Sequence, residues 1–280
     1  MKEVKVMKKQ FKVLRIIFVV ILLLPLIISW LPYNWFAGIA PESFLPTRTN
    51  PEGFLKLLLT SFQELSITLV TTLVFAMIIS ILLGYLSVLS NKVGRFFTNI
   101  MNAIESIPSI LIALFCYAPV SGALAKSAGP KSTVLSLIVF VAAATATVLP
   151  EAVRSISIPL SDLYNRKYSI SFRSYGFTKN RILAVLMKTT LMRDTTKRVA
   201  AGILLKTLVL DTSFGYVIQV GLGSTGTPQH TSPGALVALN RQVLLFGTGS
   251  EMWYFWLPSI LLIAVSVAFL IILNEDKEEA

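Results

Sequence analysis

Long apolar stretches separated by short polar breaks, and by one long one, set the pattern of this chain. They run over about residues 16–31, 65–89, 100–120, 133–149, 199–220 and 252–273. None keeps the regular polar interruption of an amphipathic soluble helix. At 1.5 Å per residue each approaches or exceeds the roughly 30 Å of bilayer hydrocarbon. The pattern predicts an all-α integral membrane protein with about six transmembrane helices. The first stretch is long for a signal-peptide core and leads into Trp30, Tyr33 and Trp35, residues suited to a membrane interface, so it is expected to be a retained helix. A proline-punctuated stretch from Pro32 to Pro51 reads as an external loop.

Basic residues give this pattern an orientation. Lys2, Lys5, Lys8, Lys9, Lys12 and Arg15 precede the first span, Lys92 and Arg95 sit in the turn after the second, and ten more fall between Glu151 and Arg198. The intervening loops hold only Arg48 and Lys56, then Lys126 and Lys131, then Arg241. The positive-inside rule therefore predicts cytoplasmic termini, with residues 32–60 and 221–250 outside. Composition agrees: 54% hydrophobic residues, 14% charged residues and a mean hydropathy of +0.73 exclude an ordinary soluble domain. The net charge of +11 lies beside the spans, so lipid and not nucleic acid is the expected partner. Cys116, the single cysteine, falls in an apolar run and reads as a small buried hydrophobe; no metal or disulfide framework is expected.

The longest polar break, Glu151 to Lys197, is expected to be a cytoplasmic loop. Within it Leu163, Tyr164, Tyr168, Phe172, Tyr175 and Phe177 alternate with Arg166, Lys167, Arg173, Lys179 and Arg181, and Gly176 divides two short helical pieces. The residues support two readings equally. One is a basic helix lying on anionic lipid; the other is a docking helix that inserts aromatic anchors into a cytoplasmic partner.

The run Tyr168-Ser-Ile-Ser-Phe-Arg173-Ser-Tyr-Gly176-Phe-Thr-Lys-Asn-Arg181-Ile182-Leu183 resembles the cytoplasmic EAA loop of binding-protein-dependent ABC transporter permeases. Tyr168, Arg173, Gly176, Arg181 and Ile182 match that motif. Ile170-Ser171-Phe172 replaces its Glu-Ala-Ala triplet, and Lys188-Thr189 its Leu-Pro. Glu105-Ser-Ile-Pro108-Ser resembles the signature opening the third span of the dipeptide/oligopeptide/nickel subfamily, and Leu83-Gly84-Tyr85 its second-span ending. Gly221-Leu-Gly223, Gly234-Ala235, Trp253, Pro258 and Ala268-Phe269-Leu270 follow its C-type subunit, although Asp211 lies about three residues too far from Gly221 for that pattern.

The resemblance covers roughly residues 53–276 and implies a type I ABC importer-like fold. Residues 1–62 would hold the N-terminal cytoplasmic segment, first transmembrane helix and external loop. Residues 63–280 would form the permease domain, with the coupling loop at about 151–197. It implies a non-catalytic membrane subunit that forms half of a pathway for peptides, nickel or metal–chelator complexes in the plasma membrane of a prokaryote. Tyr164, Tyr168, Phe172, Arg173, Gly176 and Arg181 would couple the spans to two cytoplasmic ABC ATPases. A second permease subunit, giving a heterodimer, and an external solute-binding protein would complete the assembly. ATP and Mg would sit on the ATPases and no cofactor on this chain, which has no G-x-x-x-x-G-K-[ST] sequence.

Other features have plainer readings. Gly221-Leu-Gly-Ser-Thr-Gly226 matches G-x-G-x-x-G but follows an apolar span with no βαβ unit, and His230 is the sole histidine. Lys206 and Asp211 interrupt the fifth span about 140° apart on a helix, so each is a candidate for a pathway or interhelical contact and not for pairing with the other. Pro108 and Gly84 are candidate bend points. A stand-alone secondary transporter is the alternative; a membrane-embedded enzyme would need paired acids, histidines or a metal cluster that the spans do not supply.

Overall fold

The computed structural model describes residues 2–46, 53–126, 130–221, 232–247, 249 and 251–274. These residues form helices and no strand, as expected for apolar runs whose backbone groups must be satisfied within the segment. The chain divides into two compact units, one of residues 1–67 and 211–279 and one of residues 68–210. The boundaries fall inside helices α3 (Phe54–Leu89) and α9 (Thr190–Gly221).

The first unit contains α1 (Lys2–Ile28), α2 (Tyr33–Ala37), the start of α3, the end of α9, α10 (Pro233–Leu239), α11 (Val243–Phe246) and α12 (Trp253–Asn274). Helix α1 packs on α12, and the Arg15 guanidinium donates to the Ile271 carbonyl at 2.6 Å. Its outer face, including Leu14, Ile17, Phe18 and Ile21, is apolar and exposed, a surface suited to lipid. Phe44, Phe54 and Tyr254 form an aromatic cluster with centroids 4.8–5.6 Å apart, and the Tyr254 hydroxyl donates to the Ser43 carbonyl at 2.6 Å. Helix α10 is buried along Pro233–Leu236, and Ser232 caps it by accepting from the Ala235 amide. Part of the stretch expected to be a plain external loop is therefore a buried helix. A Cβ at Gly234 would lie 2.0 Å from the Thr212 carbonyl oxygen, so only glycine permits this approach of α10 to the end of α9.

The second unit holds the remainder of α3, α4 (Asn91–Glu105), α5 (Ser109–Lys126), α6 (Pro130–Asn165), α7 (Lys167–Ser174), α8 (Lys179–Leu186) and α9 up to Leu210. Its core joins Ala76 of α3, Val148, Ala152, Ile156, Leu160 and Leu163 of α6, Ile182, Leu183 and Leu186 of α8, and Met192, Val199 and Ile203 of α9. The α6 positions recur at intervals of three and four, one face of a 3.6-residue helix. Gly84 sits where α3 meets this face: a Cβ there would lie 2.9 Å from Ile156 Cγ2. It is a close-approach residue within a continuous helix.

Among the described residues four helices are long and apolar enough to cross a membrane: α3, α6, α9 and α12. A fifth crossing is counted if α4 and α5 form one broken span, for they meet at 88°. The expected third span at about 100–120 is thus bent at Ser106–Pro108, where proline disfavours helix at Ile107 and the Pro108 carbonyl starts α5 by accepting from the Leu111 amide. The apolar part of α1, Val13–Ile28, is shorter than the others. Two boundaries also move. Helix α6 continues to Asn165 and α9 begins at Thr190, so the polar break contracts to residues 166–189. The backbone follows helix propensity and the buried stripe, whereas a hydropathy reading stops at the first charges. Cys116 is exposed instead of buried, because it lies on the outer face of α5.

These contacts predict opposite responses at two glycines. Gly84→Val overpacks the α3–α6 contact and is expected to cost about 1–3 kcal/mol. Gly202→Ala, in α9 with nothing within 4 Å of the added Cβ, is expected to gain roughly 0.5–1 kcal/mol. Thermal unfolding in detergent should show Tm falling for the first and rising for the second; a fall of equal size in both would mean that Gly84 makes no special contact.

Candidate functional site

The end of α6 and the helices α7 and α8 form one structured element. Helix α7 ends in a Schellman turn. The Phe177 amide donates to the Phe172 carbonyl at 3.2 Å and the Gly176 amide to the Arg173 carbonyl at 3.0 Å. Gly176 adopts φ +78°, the left-handed conformation that glycine takes without a Cβ penalty, and nothing lies within 4 Å of the Cβ position. The Phe172 and Phe177 rings complete the turn edge to face at 5.8 Å, the apolar contact that commonly accompanies this motif.

Tyr164 joins the pieces. The Arg173 guanidinium lies 4.7 Å from the centre of its ring and donates to its carbonyl at 3.3 Å; the Lys179 ammonium lies 5.3 Å from the same ring. Arg181 stacks on Phe177 at 4.9 Å. The buried Ser169 hydroxyl donates to the Leu163 carbonyl at 2.8 Å, fixing the start of α7 to α6. On the other side Tyr85 of α3 donates to the Asn180 carbonyl at 2.9 Å and also contacts its side-chain oxygen. Of the six coupling candidates, the fold brings Tyr164 and Arg173 together, sets Phe172, Gly176 and Arg181 around the turn, and leaves Tyr168 standing alone on the outer face of α7.

The surface left open is apolar and basic together. Tyr168, Ile170, Phe172, Tyr175 and Phe177 are exposed, Tyr175 by 80%. Residues 164–188 include six basic residues and no acidic one. Beneath this surface α8 inserts Ile182, Leu183 and Leu186 into the helical core, so the element is built on the spans and not tethered to them.

A second set of charges lies within the helices. Lys206 of α9 forms an ion pair with Glu151 of α6, both about half exposed. One turn further along α6, Arg154 pairs with Glu105 at 2.9 Å and donates to the Asn102 side-chain oxygen at 2.8 Å, both on α4. Ionised groups against hydrocarbon cost several kcal/mol, so this face of α6 is one that water or another polypeptide covers. The pairing of Glu151 and Arg154 with α9 and α4 is not evident from the sequence, where both residues read as the start of a polar loop. The signal was present in the spacing of Glu151, Arg154, Ile158, Asp162 and Asn165, which share the exposed side of one helix. Asp211 is buried, 1% exposed, in the other compact unit, and Pro108 stands at the α4–α5 bend.

Most of the G-x-G-x-x-G match and all of His230 fall outside the described residues. Among the described residues no cluster of three metal-ligating side chains is present. The chain matches no family model and none of the curated proteins compared with it.

Two outcomes are expected from substitution here. Gly176→Ala forces a Cβ into the left-handed region at a cost of about 1–2 kcal/mol. Because the cost is local, hydrogen exchange should rise in α7 while α12 is unchanged; unchanged exchange in α7 would refute the turn. For the ion pair, Lys206→Gln should destabilise more than the double variant Glu151→Gln/Lys206→Gln, since the single change strands a carboxylate. A thermal-unfolding double-mutant cycle with additive effects would mean that the two side chains do not interact.

Proposed function

We propose that this chain is the membrane subunit of an ATP-driven importer, with the α7–α8 element as its docking site for a cytoplasmic ATPase. The observation that carries the reading is the combination of an exposed aromatic and basic surface with a firm attachment to the spans through α8. A surface meant only to adsorb on lipid needs apolar area and charge; it does not need a capped turn, cation–π contacts on Tyr164 and a core anchor. A lever needs all of these, because motion of a docked partner reaches the spans only through a stiff element. The EAA-like sequence supports the same assignment. In this reading Tyr168, Phe172, Tyr175 and Phe177 fill pockets on the partner, Gly176 sets the angle between α7 and α8, and Arg173 and Arg181 hold the aromatic rings in place. ATP and Mg act on the partner.

The heterodimer, the external binding protein and a substrate class of peptides, nickel or metal chelators belong to this proposal through the resemblance alone. The half-exposed pairs Glu151–Lys206 and Arg154–Glu105 support the companion claim that α6 lines a polar pathway or faces a second subunit. The same pairs favour the alternative of a proton-coupled secondary transporter, which would need no ATPase.

Photo-crosslinking decides between them. A photoreactive phenylalanine analogue at Tyr175, in cells that express the full chain, is expected to capture a protein with a Walker A sequence. Tyr168→Ala and Phe172→Ala should each weaken that complex by roughly tenfold or more, while Arg166→Ala, a charge at the margin, should act weakly and only at low salt. Crosslinks to lipid alone, or uptake that follows the proton gradient without ATP, would overturn the docking assignment.

A further inference from the structure

Next to the proposed docking element, and separate from its outer face, lies an open polar cleft of about 610 Å3 between the end of α3, the first turns of α4, the last turns of α6 and the start of α8. Its charge is one-sided. Arg95 of α4 and Lys179 of α8 line it, and no carboxylate does. Among the described residues Arg95 has no ion-pair or hydrogen-bond partner, while the nearby Arg154 is already occupied by Glu105 and Asn102. Further residues with donor groups line it: Ser161, Tyr164 and Asn165, and none makes a side-chain hydrogen bond among the described residues. The approach of α4 to α3 that bounds the cleft depends on Gly94, where a Cβ would lie 2.5 Å from the Ser87 carbonyl oxygen.

We propose that this cleft binds a phosphate group. A guanidinium without an ion-pair partner, an ammonium held over the Tyr164 ring and several neutral donor residues around one space suit a tetrahedral oxyanion, which accepts multiple charge-assisted hydrogen bonds. The membrane offers one source. Helix α4 turns 88° from α5, and Val93, Phe96 and Ile100 give it an exposed apolar stripe beside Arg95, the kind of surface that an interfacial helix lays on lipid. An anionic phospholipid could place its tails along that stripe and its headgroup in the cavity. Free phosphate is the other source. Occupancy by either would clamp α4 to α8, and so the bend to the docking element. The proposal rests on membrane embedding and not on ATPase coupling, so the two can fail separately.

Native mass spectrometry of the full chain in neutral detergent tests it, with dioleoylphosphatidylglycerol, dioleoylphosphatidylcholine and inorganic phosphate as probes. The wild-type protein is expected to retain phosphatidylglycerol about tenfold over phosphatidylcholine, and Arg95→Gln/Lys179→Gln to lose that preference. Lys188→Gln/Arg193→Gln removes the same charge from exposed positions outside the cavity and should leave it intact. Retention of inorganic phosphate in place of the lipid, lost in the same double variant, would assign the site to the soluble source. Should the double variant fail to fold, Arg95→Gln alone is expected to lose severalfold. Neither probe retained, a lipid preference unchanged without Arg95 and Lys179, or one lost equally in the control, would overturn the proposal.

Discussion

The seating of α8 in the helical core is the contact on which the α7–α8 element of this protein depends. Ile182, Leu183 and Leu186 are buried with Ile156, Leu160 and Leu163 of α6 and with Met192, Val199 and Ile203 of α9. An eight-residue helix has little stability of its own in water, since nucleation is unfavourable and few hydrogen bonds follow it. Its apolar side chains supply what the backbone does not, at roughly 1.5–3 kcal/mol for each one fully buried. With α8 held, the turn at Gly176 fixes α7, and the Arg173 and Lys179 contacts on Tyr164 return α7 and α8 to the end of α6. Displacement of the aromatic surface therefore has to displace α6 as well.

Helix α6 is also where charge enters the membrane part of the chain. Its two faces separate cleanly: small and branched apolar residues such as Ala144, Val148, Ala152 and Ile156 are buried, while Glu151 and Arg154 are half exposed and paired across to α9 and α4. Isolated charges on such a helix would be strongly unfavourable, and pairing reduces the cost without removing it. One helix thus carries the core contacts of the α7–α8 element on one side and a polar face on the other.

Element type was legible in the sequence and element extent was less so. The apolar runs at 65–89 and 199–220 each lie inside a continuous helix and that at 252–273 matches α12 to within one residue, because a long apolar segment in lipid has no alternative that satisfies its backbone. Helix ends differ where amphipathic turns extend the span: Phe54–Glu64 at the start of α3 and Glu151–Asn165 after the apolar part of α6 are helical although hydropathy falls there. The 100–120 run concealed a bend, since both sides of Pro108 are helical and only the peptide before it resists. The division at Gly176 could be read from glycine between two basic and aromatic pieces. What composition could not convey was the partner of each charge: Lys206 meets a glutamate 55 residues earlier in the chain, a relation that only the packing of α6 and α9 creates.

The replacement of an acidic triplet by Ile170-Ser171-Phe172 changes what the docking surface can recognise. With a glutamate at its centre, a basic and aromatic helix could pair internally or meet a cation on its partner. Without it, residues 164–188 hold six basic residues and no acid, and the exposed Ile170 and Phe172 extend the apolar patch formed with Tyr168 and Tyr175. Favourable burial of such a patch requires a groove that is apolar at its floor and acidic at its rim, because like charge at the rim would cost several kcal/mol whereas complementary charge speeds encounter. Under the docking proposal this becomes a constraint on the partner: a groove with carboxylates at its rim would suit residues 164–188, and one with basic residues there would be disfavoured by charge before shape is tested.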